Sequence, residues 1–150
     1  MTDYIASINE EIKKAMMAKD KDRLRAIRAI KAALLNAQTD GSGKALDEER
    51  YVSILKKLVK QRKDSYQIFI DQNRPDLAEV EKQEFDIIET FLPKMLSEEE
   101  IRQLVDKVIA ETGASSMKDM GTVMGKAVAE AAGRADGKVL STIVREQLAR

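Results

Sequence analysis

Apolar side chains in this chain recur three and four residues apart in one stretch after another. That spacing gathers them on one side of a helix that turns every 3.6 residues, whereas a half-buried strand needs strict alternation. Ile5, Ile8, Ile12, Ala15 and Met16 form such a face between about Thr2 and Met17. Asp20-Lys21-Asp22 makes a turn in which either aspartate is able to cap the next helix. The second helix carries Leu24, Ile27, Ile30, Leu34 and Leu35 and ends near Thr39. Asp40-Gly41-Ser42-Gly43 reads as an exposed, flexible loop and a natural protease site. A long third helix runs from about Asp47 to Gln72, with Tyr51, Ile54, Leu55, Leu58, Val59, Tyr66 and Phe69 at helical spacing. Asn73-Arg74-Pro75-Asp76 interrupts it, and Pro75 suits the first turn of a fourth helix bearing Leu77, Val80, Ile87, Ile88 and Phe91.

Pro93 closes this section, because the residue before a proline is pushed out of the helical region. Ser97-x-x-Glu100 is a capping box that opens a fifth helix, which reaches about Thr112, and Gly113 fits the position just past its end. A sixth helix spans roughly Met117 to Ala132, with Ser116 and Asp119 as a weaker capping pair. Gly133-Arg134-Ala135-Asp136-Gly137 is the last turn, before a seventh helix with Val139, Leu140, Ile143, Val144 and Leu148. The expected fold is all-α. A bundle or paired hairpins of long helices occupies residues 1–92, and a small three-helix domain occupies 93–150.

Composition narrows the chemistry. Cysteine and histidine are both absent. That removes thiol nucleophiles, disulfides, the commonest general base and the commonest metal ligands together. No metal site, cofactor or nucleotide motif is expected. Basic and acidic residues balance at 26 each, so any nucleic-acid contact must come from a local patch rather than a global field. No apolar run approaches the roughly 20 residues a membrane span needs. Met1-Thr2-Asp3 passes straight into an amphipathic pattern with no signal-peptide core, and cytoplasmic residence is the expectation.

Three charges stand inside the apolar stripes. Arg62 shares a face with Leu55, Leu58, Val59, Tyr66 and Phe69, Lys31 with Leu24, Ile27, Leu34 and Leu35, and Glu84 with Leu77, Val80, Ile88 and Phe91. Two readings stand. Glu84 pairs internally with Arg62 or Lys31, or the basic stems snorkel past apolar neighbours to water. Otherwise the helices splay into a cleft where Arg62 and Lys31 grip a phosphate, a task suited to the planar guanidinium fork. Separately, Lys56, Lys60 and Lys63 form a cationic stripe beside Lys57, and helix two adds Arg23, Arg25 and Arg28. Either this is a solvated face interleaved with acids, or it meets RNA phosphates in a salt-sensitive way.

Catalysis finds little footing. Ser115-Ser116 followed by Lys118 has the composition of a serine–lysine pair, yet the spacing supplies a helix cap more naturally. Gly121-x-x-x-Gly125, with Ala129 and Gly133, reads as a small-residue face for tight packing, and Met117, Met120 and Met124 line an adjacent stripe.

Several stretches together resemble the YqeY family. They are Leu24-Arg25-x-Ile27-Arg28-x-Ile30-Lys31-Ala32-Ala33-Leu34, Lys60-Gln61-Arg62-Lys63-Asp64-Ser65, Phe91-Leu92-Pro93 with the Leu96-Ser97-Glu98-Glu99-Glu100 start, Asp119-Met120-Gly121-x-Val123-Met124-Gly125 and Gly133-Arg134-Ala135-Asp136-Gly137. The fold of that family recurs at the C-terminus of the GatB subunit of tRNA-dependent amidotransferase. The resemblance implies a bacterial, cytoplasmic protein that associates with tRNA beside amidation, without glutamine hydrolysis or ATP use of its own. It implies candidate RNA contacts at Arg28, Lys31, Lys60, Arg62 and Lys63, and at Lys126, Arg134 and Lys138 in the tail; Lys56 joins them from the cationic stripe. The alternative is a protein–protein adaptor for a translation or tRNA-modifying factor, with a translation or amidotransferase protein as its partner.

Overall fold

In a computed structural model that describes residues 2–150, the protein is all-α. The helices are α1 (Tyr4–Met17), α2 (Lys21–Gln38), α3 (Glu48–Asp71), α4 (Pro75–Glu89), α5 (Glu98–Thr112), α6 (Met120–Ala131) and α7 (Gly137–Leu148). Side chains placed just ahead of the helices start them. Asp3, Asp20 and Asp47 accept hydrogen bonds from Ala6, Arg23 and Arg50 N–H at 2.9–3.1 Å, satisfying donors that have no partner within the helix. Pro75 occupies the first turn of α4. Gly113 ends α5 in the left-handed region at φ 68°.

Ser97 accepts from Glu100 N–H at 3.1 Å and starts α5. The weaker-looking signal at Ser116 makes a full capping box. Ser116 Oγ accepts from Lys118 N–H at 3.3 Å, while Asp119 Oδ2 accepts from Ser115 and Ser116 N–H at 2.9 and 3.3 Å. The result is a short 3-10 turn, Met117–Asp119, so α6 begins three residues later than its periodicity predicts.

The chain divides into two compact units, one ending at Leu92 and one running Pro93–Arg150. In the first, α1 packs on α2, and α4 packs on both α3 and α2. Its core is built on Ile8, Ile27, Ile30, Leu34, Val52, Leu55 and Ile88, each at most 2% exposed. At about 1.5–3 kcal/mol for each large aliphatic side chain removed from water, this packing outweighs any single surface contact. The second unit closes α5, α6 and α7 around Val105, Val108, Val123, Leu140, Ile143 and Val144.

Two expectations need correction. The segment after α2 is exposed but tied down by Arg50. The guanidinium donates to Lys44 O at 2.6 Å, and to Ala37 O and Asp40 Oδ2 at 2.7 Å each. Asp40 Oδ1 in turn accepts from Ser42 N–H at 2.9 Å. The stripe of Gly121 and Gly125 is not a packing face either. A Cβ added at either residue would meet nothing within 4 Å, so the stripe stays open along α6 while Val123 and Ala127 supply the buried side.

Candidate functional site

Of the three charges within the apolar stripes, Arg62 and Glu84 meet where α2, α3 and α4 come together, one of the two pairings expected for Glu84, while Lys31 takes no part. Arg62 Nε stands 3.9 Å from Glu84 Oε2, with the side chains 17% and 13% exposed. Arg62 Nη1 donates to Leu58 O one turn earlier on its own helix, at 3.1 Å. The second cation on Glu84 is Arg25, whose Nε lies 3.7 Å from Oε1 and whose Nη2 donates to Gln83 Oε1 at 3.4 Å. Lys31 pairs with neither Arg62 nor Glu84. It sits six residues beyond Arg25, about 9 Å further along α2, and in the row of Ile27 and Leu34. Lys31 is half-buried, and Arg62 faces Glu84 rather than a cleft shared with Lys31.

Much of the cationic stripe is already matched by carboxylates. Lys60 meets Asp64 one turn along α3 at 2.8 Å, and Lys63 reaches across to Glu89 of α4 at 2.8 Å while lying over the Phe85 ring. In the second unit Lys126 holds Glu111 at 2.8 Å, and that ammonium keeps the Glu111 carboxyl below its usual range. Arg134 serves the turn before α7. Its Nε donates to Ala131 O at 3.2 Å, and its carbonyl accepts from Leu96 N–H at 2.8 Å. Lys56 is half-buried.

Among the described residues, Arg28, Lys31, Lys57 and Lys138 have no carboxylate within ion-pair distance. Arg28, Lys57 and Lys138 are exposed. Lys57 borders an open groove of about 400 Å³ between α2 and α3, with Asn36 and Gln61 on its rim and Ala33, Ile54 and Leu58 beneath. Lys138 edges a shallow depression of about 300 Å³ beside Arg102, which is bound by Glu98 and Glu146 at 2.9 and 3.1 Å. Ser116 and Lys118 belong to the cap described above. Sequence reasoning missed Arg50 as a loop staple and Arg25 as a partner of Glu84. Only the second left a trace, as one more arginine on a basic helix.

Fold and surface together define a class: two small helical units, with shallow grooves and a lattice of ion pairs around them. The chain belongs to the Yqey-like protein family, whose family model matches residues 5–148. It is 38% identical over 116 residues to altered inheritance of mitochondria protein 41, mitochondrial, of Lachancea thermotolerans, which is 76% of this chain and 62% of that protein. The protein of the same name in Kluyveromyces lactis is 37% identical over 112 residues, 73% of this chain and 60% of its own length. In Saccharomyces cerevisiae it is 36% identical over 110 residues, covering 72% and 60%. The chain thus spans about three fifths of the length of the curated relatives it matches. These relatives overturn the bacterial setting expected from the resemblance, since they are yeast proteins. Their names also say mitochondrial where a cytoplasmic protein was expected. Among the described residues, no helix is long and apolar enough to cross a membrane.

Proposed function

We propose that this chain is a binding module without a catalytic site of its own, that its ligand is tRNA, and that it acts beside tRNA-dependent amidation. The observation that carries the reading is that Arg28 and Lys57 are exposed on α2 and α3 and, among the described residues, have no carboxylate within ion-pair distance. Such cations are the ones able to release counterions from a phosphate backbone. The likeness to the amidotransferase tail supplies the ligand class. Arg62, one of the candidate RNA contacts, faces Glu84 of α4 from α3.

The test is binding to bulk tRNA across a salt series. Arg28→Ala with Lys57→Ala weakens binding and lowers the salt slope by about 2, one per lost phosphate contact. Removing a matched pair, Lys60→Ala with Asp64→Ala, leaves both unchanged. No binding at low ionic strength sinks the reading.

One observation favours a second reading, a protein adaptor. The α6 surface with Gly121 and Gly125 is open, and Val128 and Met117 beside it are 39% and 48% exposed. Co-purification of a protein partner that survives RNase, and is lost when Gly125 is replaced by Arg, selects the adaptor.

A further inference from the structure

One face of α4 is covered for only part of its length. Leu77 stands three and four residues before Val80 and Glu81, which stand four and three before Glu84, and Ile88 lies one turn further, so the five share that face. Ile88 is fully buried, and α2 lies against Gln83 and Glu84 through Arg25. Toward the other end the face is partly open, with Leu77 36% and Val80 39% exposed. Glu81, between the two halves, is half-buried, and among the described residues no cation lies within ion-pair distance of it. Burial pushes its carboxyl up, the charge of Glu84 adds to this, and Arg62 offsets part of it.

Arg25 is divided between Asp22 at 3.3 Å and Glu84 at 3.7 Å, and Arg62 faces Glu84, so neither guanidinium is within ion-pair distance of Glu81. One carboxylate is therefore left over, next to two open aliphatic side chains. The neighbouring turn shows what satisfies such a face: a helix, α2, that places an arginine on Glu84.

We propose that the open half of this α4 face is a docking site for an amphipathic helix of another protein, which packs aliphatic side chains on Leu77 and Val80 and directs a lysine or arginine at Glu81. Apolar anchors at helical spacing give the area, and the unmatched carboxylate gives the register and the sign of the charge. The proposal uses neither the charge of Arg28 nor that of Lys57, so it does not rest on tRNA binding.

The probe is a synthetic helix with leucines at i, i+3 and i+7 flanked by arginines, and its control carries glutamates in place of the arginines. Both are titrated into the RNA-free, isotope-labelled full chain and followed by amide shifts. The arginine peptide is expected to saturate, with shifts centred on Leu77, Val80 and Glu81, and the glutamate peptide to bind at least tenfold more weakly. Glu81→Lys is expected to invert that preference, and Leu77→Ser with Val80→Ser to abolish binding of both while leaving the helical spectrum intact. Equal binding of the two peptides, or shifts centred elsewhere, overturns the proposal. So does a sedimentation result in which the chain alone dimerises through Leu77 and Val80, which would make a second copy the occupant.

Discussion

Arg62 Nε faces Glu84 Oε2 across 3.9 Å and is buried without a hydrogen-bond partner. The separation exceeds any hydrogen bond, so the two charges attract without the short contact that makes such pairs strong. Glu84 makes up part of the difference through Arg25 at 3.7 Å. The junction of α2, α3 and α4 is thus held by one carboxylate between two loosely engaged guanidiniums.

Glu84→Ala is expected to lower the stability of the first unit by about 1–3 kcal/mol, since it strands Arg62 in a largely dry place. Replacing both partners with apolar residues, Arg62→Met with Glu84→Leu, is expected to recover most of that loss. Urea unfolding of the single and double variants checks it. A double variant no better than Glu84→Ala would falsify the account of the pair.

Arg50→Ala removes the donor that ties Lys44 O, Ala37 O and Asp40 together. Cleavage by a broad-specificity protease between Asp40 and Asp47 should speed up markedly, with a stability cost of about 1–3 kcal/mol for the carbonyls left unpaired. Arg50→Lys, which cannot fork to several acceptors, should resemble Arg50→Ala. Unchanged cleavage in both variants speaks against the staple.

Tyr51 is 8% exposed and stacks on Tyr4 at 4.1 Å between ring centres. Burial, followed by the neighbouring Tyr4, raises its phenol from 10.0 to about 12. A raised folded-state value means that the folded protein holds this proton more tightly than the unfolded chain. The associated stability is therefore complete below pH 10 and lost as pH climbs from about 10 to about 12. Absorbance titration at alkaline pH should show a late tyrosine phase, and Tyr51→Phe should remove it and flatten this part of the stability profile. Survival of the late phase in Tyr51→Phe assigns it elsewhere.

Gly125 lies inside α6 with open space where a Cβ would sit. Gly125→Ala should therefore stabilise the second unit by about 0.4–1 kcal/mol, because the unfolded chain loses more freedom than the helix does. The expected readout is a melting temperature higher by roughly 2–8 °C. A lower melting temperature shows that something packs on this face in solution.

Much of the helical framework was legible in the chain. Three- and four-residue apolar spacing gave every helix, and Asp20, Asp47 and Ser97 marked where helices begin. The chief boundary errors sit where a side chain diverts the backbone locally, as Asp119 does by drawing Met117–Asp119 into a 3-10 turn. The candidate site was less legible. The contact of Lys60 with Asp64 follows from their spacing on one helix, but that of Lys63 with Glu89 does not.

By itself, the sequence determined which residues are helical, which side of each helix is apolar and how most helices are capped. Those properties depend on interactions within about four residues, and a linear pattern records them. Tertiary structure alone decided that Arg25 rather than Lys31 meets Glu84, that Lys63 is matched by Glu89, and that α2 leaves Leu77 and Val80 open. Sliding one helix by a single turn, about 5.4 Å, preserves every local pattern and exchanges every such partner. Only the packing of Ile27, Ile30, Leu55 and Ile88 into one core selects the offset.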